Sequence, residues 1–451
     1  MKTIKWLAMP LLALSLTGLT TACSDKNDEE DQGGAPAGTL TPEESKERLS
    51  QIGKDFVNAI PQSDFKELDQ LATHIKDRYC GDNQVAGLED WVKDCFNALS
   101  KTVLPDKVEG YATYKYTRRI YELSQFRAHL EYREGKWNVQ KNTSDLQATC
   151  KDQNNQTVVA KLTTSGRTKK VFISEIEIDK KEEYNNYIYT TIYEMDKAYA
   201  EIPENITVTL TRAGQTLVTV VVTTDLNSIS GENFDLSKDA ASATVKAQLA
   251  GYDIQCNRIA AKANTEDGAV VNFLINKNGK KLLSADVTAT AKLPTSGLVW
   301  SENTDIKTFE KQLEEFDGKV TVCNLDVLGQ LQVAAVCSDA KSVFDDFEQA
   351  EKNKKNADAV NSYAQEINSL FTAQFFYDSN FSAPQGHMEF EATPNSEGKK
   401  YYLEPVIVFP DGSRYNMTNE SYFNENNFRS LVDLFNTLCD NYEKMVENYD
   451  D

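Results

Sequence analysis

The chain has 451 residues, of which 48 are Lys or Arg and 69 are Asp or Glu, so its formal net charge is −21. Binding to nucleic acid or to an anionic lipid surface depends on clustered basic side chains, and this charge argues against both partners. Beyond residue 41 about 410 residues remain, which is enough for one large domain or for two to three ordinary ones.

Residues 1–22 have the composition of a signal peptide. Lys2 and Lys5 supply a basic beginning, and residues 6–22 are almost uncharged, which is the pattern of a secretory signal. Pro10 and a Thr/Ser-rich end make the apolar stretch too irregular for a stable span of about 20 residues. We therefore expect an export signal and not a permanent transmembrane helix.

Small residues directly precede a cysteine in the sequence Leu19-Thr20-Thr21-Ala22-Cys23. This arrangement resembles the lipobox at which bacterial lipoproteins are acylated and cleaved. The resemblance implies that Cys23 carries the lipid and begins the mature protein, whereas the alternative is an ordinary secretory signal with a chance cysteine. Each buried methylene of an acyl chain contributes about 0.8 kcal/mol, so several chains would hold the protein on a membrane.

Residues 23–41 are predicted to form a flexible, acidic tether, because small residues with Gly and Pro cannot offset the entropy of ordering. The run after Cys23 resembles the export signal of Bacteroidetes surface lipoproteins, and a serine after the lipid cysteine resembles the sorting pattern for the outer membrane. The alternative is a solvated charged spacer. The residues of this candidate export signal are Ser24, Asp25, Lys26, Asp28, Glu29, Glu30 and Asp31.

Residues 42–105 are predicted to be helical. Thr41, Pro42 and Glu44 supply an N-cap, a proline at the first helical position and a capping-box acid. Apolar residues recur at helical spacing up to Pro61, and two more amphipathic stretches follow before Pro105. The sequence therefore predicts three helices whose apolar stripes form a core face.

Residues 106–298 change to a period of two, which indicates a β-rich region. Hairpins are predicted about Glu134-Gly135, Ala213-Gly214 and Asn278-Gly279, and the last is the strongest signal because both turn positions need positive φ. Since strands and helices do not alternate, an antiparallel sheet is favoured over a parallel one.

Residues 299–378 mix strand and helix patterns, and residues 379–451 are predicted to form a β-hairpin about Pro410-Asp411-Gly412 and a C-terminal helix. The predicted fold class is therefore α+β: N-terminal helices, a central antiparallel β meander, further helices, and a C-terminal hairpin plus helix. Residues 42–451 would form one or two compact domains.

This order of elements, the lipobox and the stretch from Phe409 to Tyr415 before Tyr422-Phe423-Asn424-Glu425 together resemble uncharacterised surface lipoproteins of gut Bacteroidetes. The resemblance extends over the whole chain. It carries no assigned activity, so it implies no functional residue beyond the N-terminal signal.

The chain has eight cysteines, and an odd number remain if Cys23 is lipidated. Exported proteins meet an oxidising compartment, so Cys80 with Cys95 and Cys323 with Cys337 are the possible disulfides. The alternative is that most are buried free thiols, which pack as small apolar side chains. No Cys-x-x-Cys or histidine pair points to zinc.

No motif points to catalysis. The three histidines, His74, His129 and His387, form no His-Glu-x-x-His pattern, and neither a nucleophile elbow nor a phosphate-binding glycine loop occurs. We expect no metal and no cofactor. Because the carboxylate pair of a glycosidase is defined only in space, a hydrolase that uses carboxylates stays as an alternative.

Tyrosines are concentrated between Glu183 and Ala200. Tyrosine combines apolar area with a hydroxyl group at low entropic cost, which suits sugar or protein recognition, although packing within a sheet is the alternative. We expect a non-enzymatic binding or cell-surface interaction module on the outer membrane, with a carrier of a lipid or other apolar ligand as the second hypothesis. The candidate ligand surface comprises Tyr184, Tyr187, Tyr189 and Tyr193.

Overall fold

A computed structural model describes the chain in the ranges 40–79, 112–185, 188–229, 231–235, 239, 241–261, 268–292, 299–301, 308, 311–312, 317–378 and 383–416. Within them the α-helices are α1 (Pro42–Ala59), α2 (Lys66–Tyr79), α3 (Ala340–Lys352) and α4 (Ala357–Leu370). The strands are β1 (Ala112–Tyr121), β2 (Ala128–Arg133), β3 (Lys136–Lys141), β4 (Leu146–Lys151), β5 (Thr157–Asn185), β6 (Ile188–Arg212), β7 (Gln215–Thr224), β8 (Phe234–Asp235), β9 (Ala241–Leu249), β10 (Tyr252–Ala261), β11 (Ala269–Lys277), β12 (Lys280–Lys292), β13 (Val299–Trp300), β14 (Asp317–Val327), β15 (Leu331–Cys337), β16 (Phe371–Tyr377), β17 (Gly386–Pro394), β18 (Tyr401–Val408) and β19 (Arg414–Asn416).

The predicted α+β class is wrong, because the structure is mostly β. The main reason is the length of two strands: β5 has 29 residues and β6 has 25. Charged residues fill much of this ribbon, so it lacks the apolar alternation by which a half-buried strand is recognised. Phe371, whose spacing from Ile367 and Leu370 predicts the end of a helix, begins strand β16 instead, and β17 was not predicted.

Several local predictions are confirmed. Thr41 Oγ1 accepts a hydrogen bond from the Glu44 backbone N–H (3.3 Å), and Glu44 Oε2 accepts one from the Thr41 N–H (2.9 Å), which completes the capping box of α1. Glu134 and Gly135 have φ of 53° and 80°, and Asn278 and Gly279 have 49° and 79°, as the predicted tight turns require. The predicted third and C-terminal helices lie outside the described residues.

The chain divides into two compact units. The first comprises Met1–Gln62, Lys280–Ala289 and Gly318–Asp451, and the second comprises Ser63–Gly279 and Thr290–Asp317. Among the described residues of both units, none of the helices combines the length and the apolar composition needed to cross a membrane.

In the first unit, β14 to β19 form an antiparallel meander in chain order. Ile367 of α4 is 0% exposed and packs among side chains of four strands. Ile52 of α1 packs against the same sheet beside Phe375 and Tyr377. Since Ala373, Phe375 and Tyr377 alternate along β16, the helices of this unit cover one face of the meander. The strand residues around Ile367 are Cys323, Ala335, Ala373, Met388 and Phe390.

In the second unit, the strand order is β3-β2-β4-β5-β6-β7-β9-β10-β11. Neighbours are antiparallel except β2 and β4, which pair in parallel. β5 and β6 pair over almost their whole length, and β1 runs parallel to the first half of β6, from Ala112 opposite Thr191 to Tyr121 opposite Ala200. β8 and β13 form a separate two-stranded sheet.

The two faces of this second sheet differ in polarity. On one face, α2 packs through Leu71 and Tyr79 against Cys150 and Val158, and Tyr79 Oη donates a hydrogen bond to the Lys151 carbonyl oxygen (2.6 Å). The other face is polar, because direct partners on successive strands carry hydrogen-bonding side chains. One such row runs Gln140, His129, Gln147, Lys161, Thr209, Thr219, Gln248, Asp253 and Asn276.

Candidate functional site

Three of the four tyrosines predicted as a ligand surface, Tyr184, Tyr189 and Tyr193, lie on the β5–β6 ribbon of the second unit. Tyr184 is 54% exposed and pairs in register with Tyr189 near the end of the ribbon. Tyr193 lies further along β6, and Tyr187 lies outside the described residues. Tyr199 differs from these residues because it is 2% exposed and packs its ring against Phe172.

Two tyrosines that the sequence did not single out complete this surface. β1 places Tyr114 directly beside Tyr193, and the two rings stack with centroids 5.1 Å apart and planes at 13°. Tyr116 continues the stack, with its centroid 6.3 Å from that of Tyr114. Their only sequence signal was alternation in residues 112–116, since the β1–β6 pairing joins distant segments.

Lysines lie over the outer rings of the stack. Lys180 Nζ is 5.8 Å from the Tyr193 centroid, and Lys197 Nζ is 5.0 Å from the Tyr116 centroid, within the range of cation–π attraction. Tyr116 Oη donates a hydrogen bond to Glu175 Oε2 (3.2 Å). Burial, reinforced by the Glu175 carboxylate, raises the pKa of Tyr116, so the phenol stays protonated. We call Tyr114, Tyr116, Tyr184, Tyr193, Lys180 and Lys197 the tyrosine face.

The charged side chain of Arg118, two residues after Tyr116 on β1, contacts two residues next to the tyrosine face. Arg118 Nη2 lies 2.8 Å from both carboxylate oxygens of Glu232, and its guanidinium carbon is 4.2 Å from the centroid of the buried Tyr199 ring. Arg118 of β1 therefore stacks on Tyr199 of β6, and its charge-assisted hydrogen bonds also join β1 to Glu232, in the segment before β8.

A polar groove lies on β2, β3 and β4 of the same unit, with a volume of about 460 Å³. Sequence reasoning missed it because its side chains come from three strands that combine parallel and antiparallel pairing. We call it the β2–β4 groove. The polar residues that line it are His129, Glu131, Arg133, Glu134, Asn138, Gln140, Gln147 and Thr149.

A buried carboxylate organises one side of the β2–β4 groove. Asp145 is 9% exposed; its Oδ1 is 2.7 Å from His129 Nε2, and its Oδ2 is 2.9 Å from Lys161 Nζ. Hydrogen bonds from Lys161 and then from His129 lower the pKa of Asp145. The carboxylate therefore stays ionised at neutral pH and fixes both neighbouring side chains.

Replacing Asp145 by asparagine should lower the free energy of unfolding at pH 7 by about 1–3 kcal/mol, because charge-assisted hydrogen bonds to Lys161 and His129 are lost. The folded-state pKa of Asp145 is depressed, so its contribution is complete above the unfolded value of about 3.9 and disappears as the pH falls through the folded value. Urea unfolding at pH 7 and at pH 3 measures this difference.

The variant Asp253→Asn is the control, since Asp253 lies in the same polar row as His129 and Lys161, and its carboxylate accepts a hydrogen bond only from an uncharged group in the contacts described, Gln255 Nε2 (2.7 Å). The difference between wild type and Asp145→Asn should shrink at the lower pH. An equal difference at both pH values would contradict the assignment of an ionised, paired Asp145.

The first unit carries a separate polar cluster on β17 and β19. Arg414 Nη2 is 2.7 Å from Glu389 Oε2, and His387 Nε2 is 3.0 Å from Glu389 Oε1. Burial would raise the pKa of Glu389, but the hydrogen bonds from His387 and Arg414 outweigh it and lower that pKa. Burial raises the pKa of Glu391 against the opposing effect of Arg414, whose Nε is 3.5 Å away. The charged side chains of this cluster therefore pair with one another and form an ion-pair network.

The cysteine prediction resolves in part. Cys323 and Cys337 are free thiols in the structure, so the possible disulfide between them is not formed. Cys323 pairs in register with Ala335, and Cys337 is its diagonal neighbour on β15. Diagonal neighbours in an antiparallel pair are too far apart for a disulfide to join them directly. Burial raises the pKa of both thiols. Cys80 and Cys95, like Cys23 and the candidate export signal from Ser24 to Asp31, lie outside the described residues.

Within the described ranges, no group of three or more His, Cys, Asp and Glu side chains is placed to hold a metal ion. The remaining histidine of the sequence analysis, His74, packs edge-on against Tyr79 in α2, with ring centroids 5.9 Å apart. The chain matches no protein-family model, no curated protein and no solved structure.

Proposed function

We propose that the protein is a lipoprotein of the outer membrane, anchored through Cys23 and facing the cell exterior, and that it acts as a non-enzymatic binding module. In this proposal the tyrosine face recognises a protein partner at the cell surface. The observation that carries the proposal is the stack of Tyr114, Tyr116 and Tyr193, on the same ribbon as the exposed Tyr184, because tyrosine is enriched where proteins bind one another.

The stacking geometry favours a protein partner over a sugar at this face. An aromatic ring holds a sugar through an open ring face. The rings of Tyr114 and Tyr193 cover each other at 5.1 Å, and lysines lie over the rings of Tyr193 and Tyr116. Ring edges and hydroxyl groups therefore dominate the surface, and these groups suit the mixed apolar and hydrogen-bonding contacts of a protein interface.

The anchoring part of the proposal depends on the N-terminal sequence. A basic beginning, an apolar stretch, the Ala22-Cys23 junction and the acidic run that follows supply the parts of a lipoprotein signal in the correct order. A flexible tether of this composition would hold the folded units away from the lipid headgroups, where a macromolecular partner can reach them.

An array carrying extracellular proteins and glycans side by side tests the proposal. The probe is the full-length, lipidated protein in detergent, compared with the double variant Tyr114→Ser/Tyr193→Ser. We expect at least one protein spot to bind the wild type, with an affinity about tenfold or more higher than that of the double variant, since two central tyrosines are lost.

The matched control is Tyr363→Ser, which removes a half-buried tyrosine of α4 in the first unit and should leave the affinity unchanged. Binding of glycans alone, or equal binding by wild type and double variant, would contradict recognition of a protein by the tyrosine face.

A further inference from the structure

We infer that the β2–β4 groove is a second binding site, which takes a neutral, hydroxyl-rich ligand of the oligosaccharide class. This site is separate from the tyrosine face and does not depend on it. The groove is shaped by the register of three neighbouring strands, β3, β2 and β4, and by the ion pairs along it.

The register places polar groups in two parallel rows. In one row, Gln140, His129 and Gln147 are direct partners across β3, β2 and β4. In the next row, Glu131 lies between Asn138 and Thr149. Neighbouring strands are about 4.8 Å apart, so the groove offers hydrogen-bonding groups at regular, closely spaced positions along its floor.

Two ion-pair groups hold most of the charges of the groove within the protein. Arg133 Nη2 pairs with Glu131 Oε2 at 2.5 Å, and the Asp145 carboxylate is shared between His129 and Lys161. The remaining charged residue of the lining is Glu134, in the β2–β3 turn. An anionic ligand would have to displace one of these partners against the repulsion of Glu134. A neutral ligand meets no such cost, because it can use the groups that carry no charge.

The uncharged groups match the hydrogen bonding of sugar hydroxyls. Each glutamine amide offers both donors and an acceptor, as does each hydroxyl group of a sugar. Gln147 Nε2 donates a hydrogen bond to Thr149 Oγ1 (3.3 Å), and the amide oxygen of Gln147 can accept one from a ligand hydroxyl group. Gln140 is exposed on the edge strand β3, where a chain-like ligand can reach it from solvent.

Asp145 pre-organises the groove. Its Oδ1 holds His129 Nε2 at 2.7 Å, so the ring orientation is fixed before a ligand arrives, and Nδ1 has no hydrogen-bond partner within the described part of the chain. Rigid, pre-oriented groups lower the entropy lost on binding. The groove therefore presents polar groups in fixed positions. A ligand with little apolar surface depends on such groups, because it gains little from burying apolar area.

Isothermal titration of the full-length, lipidated protein tests the inference. The probes are maltohexaose, cellohexaose, mannohexaose and xylohexaose, with tetragalacturonic acid as the anionic comparison, in a zwitterionic detergent that contains no sugar. We expect at least one neutral hexaose to bind with a Kd between about 10 µM and 1 mM. The variant Gln140→Ala/Gln147→Ala should raise that Kd about tenfold or more, since two amide contacts are lost.

The control is Gln248→Ala, which removes a glutamine of the same polar row on β9 and should leave the Kd within about twofold. Tyr114→Ser/Tyr193→Ser should bind the hexaose as the wild type does, which separates this site from the tyrosine face. Absence of binding by all four neutral probes, tighter binding of the uronate, or equal binding by Gln140→Ala/Gln147→Ala would each overturn the inference.

Discussion

The variant Cys23→Ala is expected to lack the lipid mass and, in molecules from which residues 1–22 have been removed, to appear in the soluble exported fraction. The physical reason is the loss of the acyl chains, since each buried methylene contributes about 0.8 kcal/mol and one chain alone gives only weak, reversible attachment. Fractionation without detergent, followed by intact-mass measurement, would detect both the shift in location and the absence of the lipid mass.

The control for this experiment is Cys256→Ala, which removes a half-buried free thiol in the second unit. That variant should stay in the membrane fraction and retain the lipid mass. If the wild type carries an unmodified Cys23, or if Cys23→Ala retains the lipid mass, the lipid anchor is excluded.

The variant Ile367→Ala should lower the free energy of unfolding by about 2–5 kcal/mol, which is the range for truncating a large aliphatic side chain in a closed core. Ile367 is 0% exposed and lies where α4 meets β14, β15, β16 and β17. Its removal leaves a cavity bounded by helix and sheet, and neither can close in without disturbing the other. Urea unfolding, followed by circular dichroism, measures the change in midpoint.

Val336→Ala provides the comparison, because Val336 lies on β15 of the same unit and is 41% exposed. Its free energy of unfolding should fall by less than about 1 kcal/mol. Similar losses for Val336→Ala and Ile367→Ala would mean that the helix pair does not close the core of this unit.

Local elements were predictable wherever a short-range signal decides them. The capping box at Thr41, the turns at Glu134-Gly135 and Asn278-Gly279, and the hairpin of β18 and β19 follow from turn and cap chemistry within a few residues. The break between α3 and α4 likewise coincides with the charged residues 351–355, which interrupt the helical pattern in the sequence.

The fold class and most of the candidate site depend on distant pairings instead. Tyr193 was recognised as part of a cluster, but its stacking partner Tyr114 joins it only through the parallel β1–β6 pair. The β2–β4 groove needs the register of three strands, and a shift of one residue would turn its polar row to the apolar face. The length of the ribbon escaped detection because charged residues interrupt the apolar alternation along much of it, although side chains such as Phe172 and Met195 are buried.

The parallel pairing of β1 with β6 also sets an order of assembly. β1 is the first of the described strands to be synthesised, yet its partner, from Thr191 to Ala200, follows only after the whole of β5. Contacts between segments so far apart form late, because the intervening chain must first lose its freedom. The β5–β6 hairpin should therefore form before β1 docks, and a nascent chain cut short before residue 190 would expose an unpaired strand edge that invites association with other chains.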